Sequence, residues 1–140
     1  MKFVTVLIFS VSAALLGCKA LDSEPLPLNS LDSKSVVKIP GNASRELAVS
    51  LVSLTDTRCP QNVICVQDGR VDMTLFVKDQ TDSVMVETVF RGSVEKNSGK
   101  IFDLGGYRYA LYVERVLPYP KEGKKPKLED YLIDFRINNQ

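Results

Sequence analysis

Apolar and polar residues alternate in three segments of the second half of the chain. Val71, Met73, Leu75 and Val77 occupy every second position of the first segment, and the same period of two recurs at 107–114 and at 131–138. Because successive side chains of a β-strand point to opposite faces, this pattern predicts three strands that each bury one face. Apolar runs predict further strands at 36–39, 46–54, 84–90 and 100–104.

Turn-forming residues separate these segments. They occur at 40–42, 69, 79–82, 92–99, 105–106 and 118–126. No segment shows the 3.6-residue period of an amphipathic helix, and no internal repeat is present. The sequence therefore predicts an all-β fold, with a single small antiparallel β-sandwich or barrel-like domain.

The N-terminal region has a different pattern. Met1-Lys2 precedes a run of 14 uncharged residues, 3–16, which is shorter than the roughly 20 apolar residues of a spanning helix. The run has the character of a signal-peptide core and ends in Leu15-Leu16-Gly17-Cys18. These four residues resemble the lipobox of bacterial lipoproteins. The resemblance implies cleavage before Cys18 and acylation of that cysteine, whereas the alternative is an ordinary signal peptide followed by a chance cysteine.

The predicted organisation is a signal peptide at 1–17, the lipidated cysteine and a flexible tether at 18–34, and the β-domain at 35–140. Residues 19–34 are rich in Ser, Pro, Asp and Lys, which indicates a tether. The lipobox resemblance implies three acyl chains on Cys18, a diacylglycerol on the thiol and one chain on the new amine. One acyl chain binds a bilayer marginally, while two or more anchor a protein stably. We therefore expect a lipid-anchored protein of the bacterial cell envelope. Lys19, rather than Asp, after the cysteine favours the outer membrane in enteric-like bacteria.

The charge balance narrows the partners. Cleavage would remove Lys2 from the 18 basic residues, so that the mature chain would carry 17 basic and 17 acidic residues. Nucleic-acid binding needs a strongly basic face and is therefore not expected. The expected partners are the membrane, through the N-terminal lipid, and an envelope protein.

Cys59 and Cys65 are the two cysteines that remain once Cys18 is acylated. The chain has no histidine, so the usual zinc ligand sets and a histidine-activated thiol are poorly supported. The spacing also differs from the Cys-x-x-Cys of thioredoxin-like motifs. Since an exported protein can form disulfides, we predict a Cys59–Cys65 disulfide and no metal or cofactor. Pro60, Gln61 and Asn62 can turn the chain between the two cysteines, because Pro presets the bend and Asn tolerates the left-handed region.

A second resemblance lies around these cysteines. Residues 56–77, DTRCPQNVICVQDGRVDMTLFV, look like a motif of small exported bacterial proteins of the approximate form D-S-R-C-P-x-x-V-x-C-x-W-A-G-x-A. Residues 109–120 also fit it. This chain has Gln67 in place of the Trp and Asp68 in place of the Ala. The resemblance implies a β-rich domain and no particular activity.

Several groups of residues are candidates for chemistry. Asp68 with Asp72, or Glu129 and Asp130 with Asp134, could form a carboxylate pair for a small hydrolase. The alternative is that these carboxylates have no catalytic role and lie on solvated strand faces and loops. Residues 93–96 spell the S-x-x-K pattern of penicillin-binding proteins, but they occur in a polar turn without the large domain that this pattern requires.

The basic segment 121–127, KEGKKPK, is either a solvated hairpin loop or a contact for anionic headgroups or a polyanion. Neighbouring tyrosines could extend it into a binding surface. The candidate surface residues are Tyr112, Tyr119, Lys121, Lys124, Lys125 and Lys127. The sequence favours a non-enzymatic binding or assembly module, and the alternative is a small carboxylate-dependent hydrolase.

Overall fold

A computed structural model describes residues 28–92 and 99–140. This part of the chain is all-β and forms two four-stranded antiparallel sheets that pack into a sandwich. The strands are β1 Asn29–Asp32, β2 Val37–Pro40, β3 Glu46–Asp56, β4 Val71–Lys78, β5 Ser83–Phe90, β6 Lys100–Leu104, β7 Tyr107–Leu117 and β8 Leu132–Asn139. The strand order is β1-β8-β7-β6 in one sheet and β2-β3-β4-β5 in the other. The all-β prediction is confirmed.

The hydrophobic core lies between the two sheets. Val71, Leu75 and Val77 of β4 are fully buried and belong to one cluster with Tyr109 of β7 and Phe135 of β8. These residues occupy alternate positions, as the period of two predicts. In β7 the alternation shifts at a β-bulge between Val113 and Arg115.

Strand β1 corrects the predicted start of the domain. It lies within 18–34, the range assigned to the tether, and pairs in register with β8, with Leu31 fully buried opposite Ile133. The tether prediction is therefore wrong for Asn29–Asp32. A four-residue strand with one inward apolar residue is too short to show a period in the sequence, and its pairing with β8 spans about one hundred positions.

Two parts of the prediction lie outside the described residues. The signal peptide, Cys18 and the first part of the tether fall within 1–27, and the S-x-x-K pattern falls within 93–98. Among the residues that are described, none belongs to a helix with the length and apolar character needed to cross a membrane.

The connections at one end of the sandwich carry most of the candidate residues. Here β3 ends, β4 begins and β7 leads into β8. We name this region the disulfide end and define it as residues 57–70 and 118–131. At the opposite end, Arg45 bonds Asp79 at 2.8 Å and the Gly105 carbonyl at 3.4 Å, which links the two sheets there.

Candidate binding surface at the disulfide end

The disulfide end is built on a buried ion pair at the end of β3. Arg58 Nη2 donates to Asp56 Oδ2 at 2.6 Å and Arg58 Nε donates to Asp56 Oδ1 at 2.9 Å. The two side chains are 3% and 4% exposed. A spacing of two residues on extended backbone places both side chains on one face, which is why D-x-R can form this pair locally.

The same guanidinium connects β3 to the end of β7. Arg58 Nη1 donates to the Val116 carbonyl at 2.7 Å, and Nη2 donates to the Pro118 carbonyl at 2.8 Å. The Tyr119 ring centroid lies 4.8 Å from the guanidinium carbon. Arg58 therefore joins strands of the two sheets and fixes the segment that leads into the lysine-rich loop.

Tyr131 completes this buried cluster. Its hydroxyl donates to Asp56 Oδ2 at 3.0 Å. Burial acts to raise the pKa of the Asp56 carboxyl, but hydrogen bonds from the Arg58 side chain and backbone N–H outweigh it and hold the pKa below its ordinary value. Burial, together with the adjacent Asp56 charge, raises the pKa of Tyr131 to about 12. The cluster thus holds an ionised carboxylate and a protonated phenol.

Cys59 and Cys65 form the predicted disulfide, with sulfur atoms 2.08 Å apart and Cα atoms 6.0 Å apart. Asn62 has a φ of 66°, in the left-handed region that Asn tolerates. A loop of this length is stabilised by a cross-link by about 2 kcal/mol in the chain-entropy treatment. The loop also contacts the lysine-rich segment, because the Gln61 N–H donates to the Pro120 carbonyl at 2.9 Å.

The cross-linked region exposes aliphatic side chains. Ile64 is 100% exposed and Val66 is 102% exposed, while Val63 is about one-third exposed. None of these three residues is among the surface residues predicted from the sequence. The sequence does contain a signal for their exposure. Val63, Ile64 and Val66 flank Cys65 in a segment bounded by turn-forming residues, where no strand is predicted to bury them.

Gly69 lets the two chain segments of this region approach closely. A Cβ atom at this position would lie 1.8 Å from the Thr57 carbonyl oxygen and 2.5 Å from the Arg58 Cα. The neighbouring Arg70 carbonyl accepts the Thr57 N–H at 2.8 Å. Glycine is therefore required by the close packing of the segment that carries Arg58 and Cys59.

A shallow cleft of about 240 Å³ lies beside the disulfide loop. Its lining combines apolar and charged side chains, namely Pro118, Tyr119, Lys121, Lys124, Pro126 and Asp130. Tyr119 is 38% exposed, which leaves part of its ring available at the surface. Three of the predicted surface residues, Tyr119, Lys121 and Lys124, are thus brought together.

The other predicted surface residues have different positions. Lys125 and Lys127 are exposed in the same loop, outside the cleft lining, and the Lys127 N–H donates to Asp130 Oδ2 at 2.8 Å. Tyr112 lies on β7, six residues before Pro118, where the disulfide end begins again. Six residues of extended chain span roughly 20 Å. The Tyr112 ring packs against Gly99 and lies 5.8 Å from the Arg136 guanidinium carbon. The structure therefore does not bring Tyr112 to the disulfide end.

The candidate catalytic carboxylates are distributed over different contacts. Asp134 is buried, accepts the Ser30 hydroxyl at 2.5 Å and pairs with Arg115 at 2.5 Å. Asp72 pairs with Arg70 at 3.0 Å. Asp68 and Asp72 line one open depression of about 450 Å³, together with Gln67, which stands at the Trp position of the resembled motif.

Within 28–92 and 99–140, no group of three or more His, Cys, Asp or Glu residues is arranged to hold a metal ion. Comparisons of the chain with models of protein families, with curated proteins and with solved structures found no match. The resemblances to lipoprotein signals and to small exported bacterial proteins therefore stay predictions.

Proposed function

We propose that this chain is a non-enzymatic binding module of the bacterial cell envelope, and that the disulfide end is its binding surface. Acylated Cys18 anchors the module, with the outer membrane as its destination. The lipobox-like Leu15-Leu16-Gly17-Cys18 and the following Lys19 support this location.

The observation that carries the proposal is the full exposure of Ile64 and Val66. The two residues lie on either side of Cys65, and neighbouring exposed apolar residues are a feature of interaction sites. The cross-link limits the conformational freedom of the loop between Cys59 and Cys65. Because a constrained loop loses less entropy when it binds, its apolar side chains contribute more of their burial energy to association.

The alternative, a small carboxylate-dependent hydrolase, has weaker support from the geometry. Asp134 is engaged by Ser30 and Arg115, and Asp72 by Arg70. The depression that Asp68 and Asp72 share is open to solvent and wide, whereas acid–base chemistry benefits from an enclosed site.

Photo-crosslinking in intact cells tests the proposed surface. A photoreactive residue replaces Ile64 in the full chain, and the matched control replaces Met85, which is 56% exposed on β5 away from the disulfide end. We expect a reproducible adduct, with protein or lipid, from position 64 and little from position 85. Equal capture from both positions would contradict the assignment of the binding surface.

A further inference from the structure

We infer that the disulfide end docks on an anionic bilayer surface, with Ile64 and Val66 in the interfacial layer and the lysines of 121–127 against headgroup phosphates. This inference rests on the proposed function and specifies the partner of the same surface. It adds a second membrane contact, made by the folded domain, to the predicted lipid anchor.

The disulfide end combines an apolar tip, Ile64 and Val66, with a basic loop, 121–127. Within 121–127, Glu122 is the one acidic residue against four lysines, Lys121, Lys124, Lys125 and Lys127. Over the whole disulfide end, six basic residues stand against four acidic ones, namely Asp68, Glu122, Glu129 and Asp130, so the surface keeps a positive excess. All four lysines are exposed. Lysines close to an anionic leaflet attract it electrostatically, and aliphatic side chains beside them add apolar burial. The two loops contact each other, because Gln61 and Lys121 form a β-bridge and the Gln61 N–H donates to the Pro120 carbonyl at 2.9 Å.

The types of side chain exposed at the disulfide end differ from those typical of a protein–protein interface. Cores of protein–protein interfaces are enriched in aromatic residues, Met and Arg and depleted in Lys. Apart from Tyr119, the exposed side chains that we assign to this contact are the aliphatic Ile64 and Val66 and the four lysines. A fluid interface accepts such protruding side chains without a complementary pocket. These features favour a lipid surface over a protein.

The chain between Cys18 and strand β1 is short enough to keep the disulfide end close to the lipid anchor. Strand β1 runs toward the disulfide end, and Asn29 pairs with Phe135, three residues, or roughly 10 Å, from the start of β8. Ten residues separate Cys18 from Leu28, which gives a contour length of at most about 35 Å. An anchor at Cys18 and the disulfide end can therefore contact the same bilayer.

Depth-sensitive fluorescence tests the inference. The chain contains no tryptophan, so Ile64→Trp in the full chain introduces a single probe at the tip, and Met85→Trp introduces one on the outer face of β5. Each protein is placed in vesicles of phosphatidylcholine and phosphatidylglycerol whose acyl chains are brominated. We expect blue-shifted and quenched emission from position 64, and unshifted, weakly quenched emission from position 85.

Two further variants separate the apolar and the charged contributions. In the Ile64→Trp background, Val66→Ser should lower the ratio of docked to free domain about tenfold, because a buried aliphatic side chain is lost. Replacement of the four lysines of 121–127 by glutamine, or omission of phosphatidylglycerol, should also reduce the quenching. Quenching that ignores both changes would overturn the role given to the lysines.

Unquenched, solvent-like emission from position 64 in anionic vesicles would overturn the docking on lipid. If the crosslinker at position 64 then captures a protein in cells, the binding-module proposal stands with a protein partner. If position 64 is neither quenched nor captured, both proposals are overturned. A lipid adduct from position 64 together with quenching supports both.

Discussion

Arg58 binds Asp56 through two side-chain N–H groups and its backbone N–H, and its guanidinium also donates to the Val116 carbonyl of the opposite sheet and to the Pro118 carbonyl that follows it. Both side chains are almost completely removed from solvent. A buried guanidinium with this set of acceptors leaves few donors unsatisfied, which is the condition under which a buried ion pair is tolerated. The pair therefore holds the disulfide end in place against the sandwich.

Arg58→Leu should destabilise the domain strongly. It leaves the Asp56 carboxylate buried with Tyr131 as a remaining side-chain partner, and it removes the donors to Val116 and Pro118. Loss of one partner of a buried pair costs about 3–5 kcal/mol. Urea unfolding measures the change in the free energy of unfolding. The control is Arg108→Leu, because Arg108 and Asp103 form an exposed, solvent-screened pair whose loss should change the free energy of unfolding little. Equal effects of the two substitutions would contradict the role of Arg58.

Tyr131→Phe should lower the free energy of unfolding at neutral pH, and this difference from wild type should shrink at alkaline pH. Because the pKa of Tyr131 is raised to about 12 from an ordinary value of 10.0, its contribution is fully present below pH 10 and is lost as the pH rises toward 12. At pH 7 the variant should be less stable by about 1–2 kcal/mol, since it lacks the hydrogen bond to Asp56.

Unfolding at a series of pH values between 7 and 12 tests this prediction. The difference between wild type and Tyr131→Phe should narrow above pH 10. Tyr112→Phe serves as the control, because the Tyr112 ring lies beside Arg136 and far from Asp56, and this variant should keep the wild-type alkaline profile. A gap between wild type and Tyr131→Phe that is constant over the whole series would show that ionisation of Tyr131 is not linked to folding.

Gly69→Ala should be more damaging than an alanine at a glycine in open space. The added Cβ would collide with the Thr57 carbonyl and the Arg58 backbone, which cannot move without displacing the ion pair and Cys59. Overpacking of this kind costs about 3 kcal/mol. Gly92→Ala is the comparison, because its Cβ meets no atom within 4 Å, although its φ of 83° adds about 1 kcal/mol of backbone strain. Thermal unfolding ranks the two variants, and the reverse order would contradict the predicted close packing.

Cys18→Ala should release the protein from membranes into the soluble fraction. The prediction follows from the lipobox-like Leu15-Leu16-Gly17-Cys18, since acylation of that cysteine would supply the anchor. Mass spectrometry of the wild-type N-terminus should find an acylated cysteine as the first residue. An intact Met1, or a Cys18→Ala protein whose membrane association equals that of wild type, would rule out lipidation. Met85→Ala, away from the disulfide end, is the control and should leave membrane association unchanged.

The sequence by itself determined strands β2 to β8 and the disulfide. A period of two specifies which face of β4, β7 and β8 is buried, because the pleat places alternate side chains on one side whatever their partners are. The pairing of Cys59 with Cys65 followed from local spacing, from the absence of histidine and from the lack of other thiols once Cys18 is acylated. These properties depend on short stretches of chain and on composition.

The tertiary structure decided the properties that depend on distant partners. The acceptors of Arg58 at Val116 and Pro118 are 58 and 60 residues away, and Asp134 is buried through Arg115 on β7 and Ser30 on β1. Strand β1 exists because β8 offers an edge to it. Full exposure of Ile64 and Val66 was likewise decided by the fold, because burial depends on whether another segment covers a side chain. Such contacts are set by the folded arrangement of the two sheets, and no local pattern encodes them.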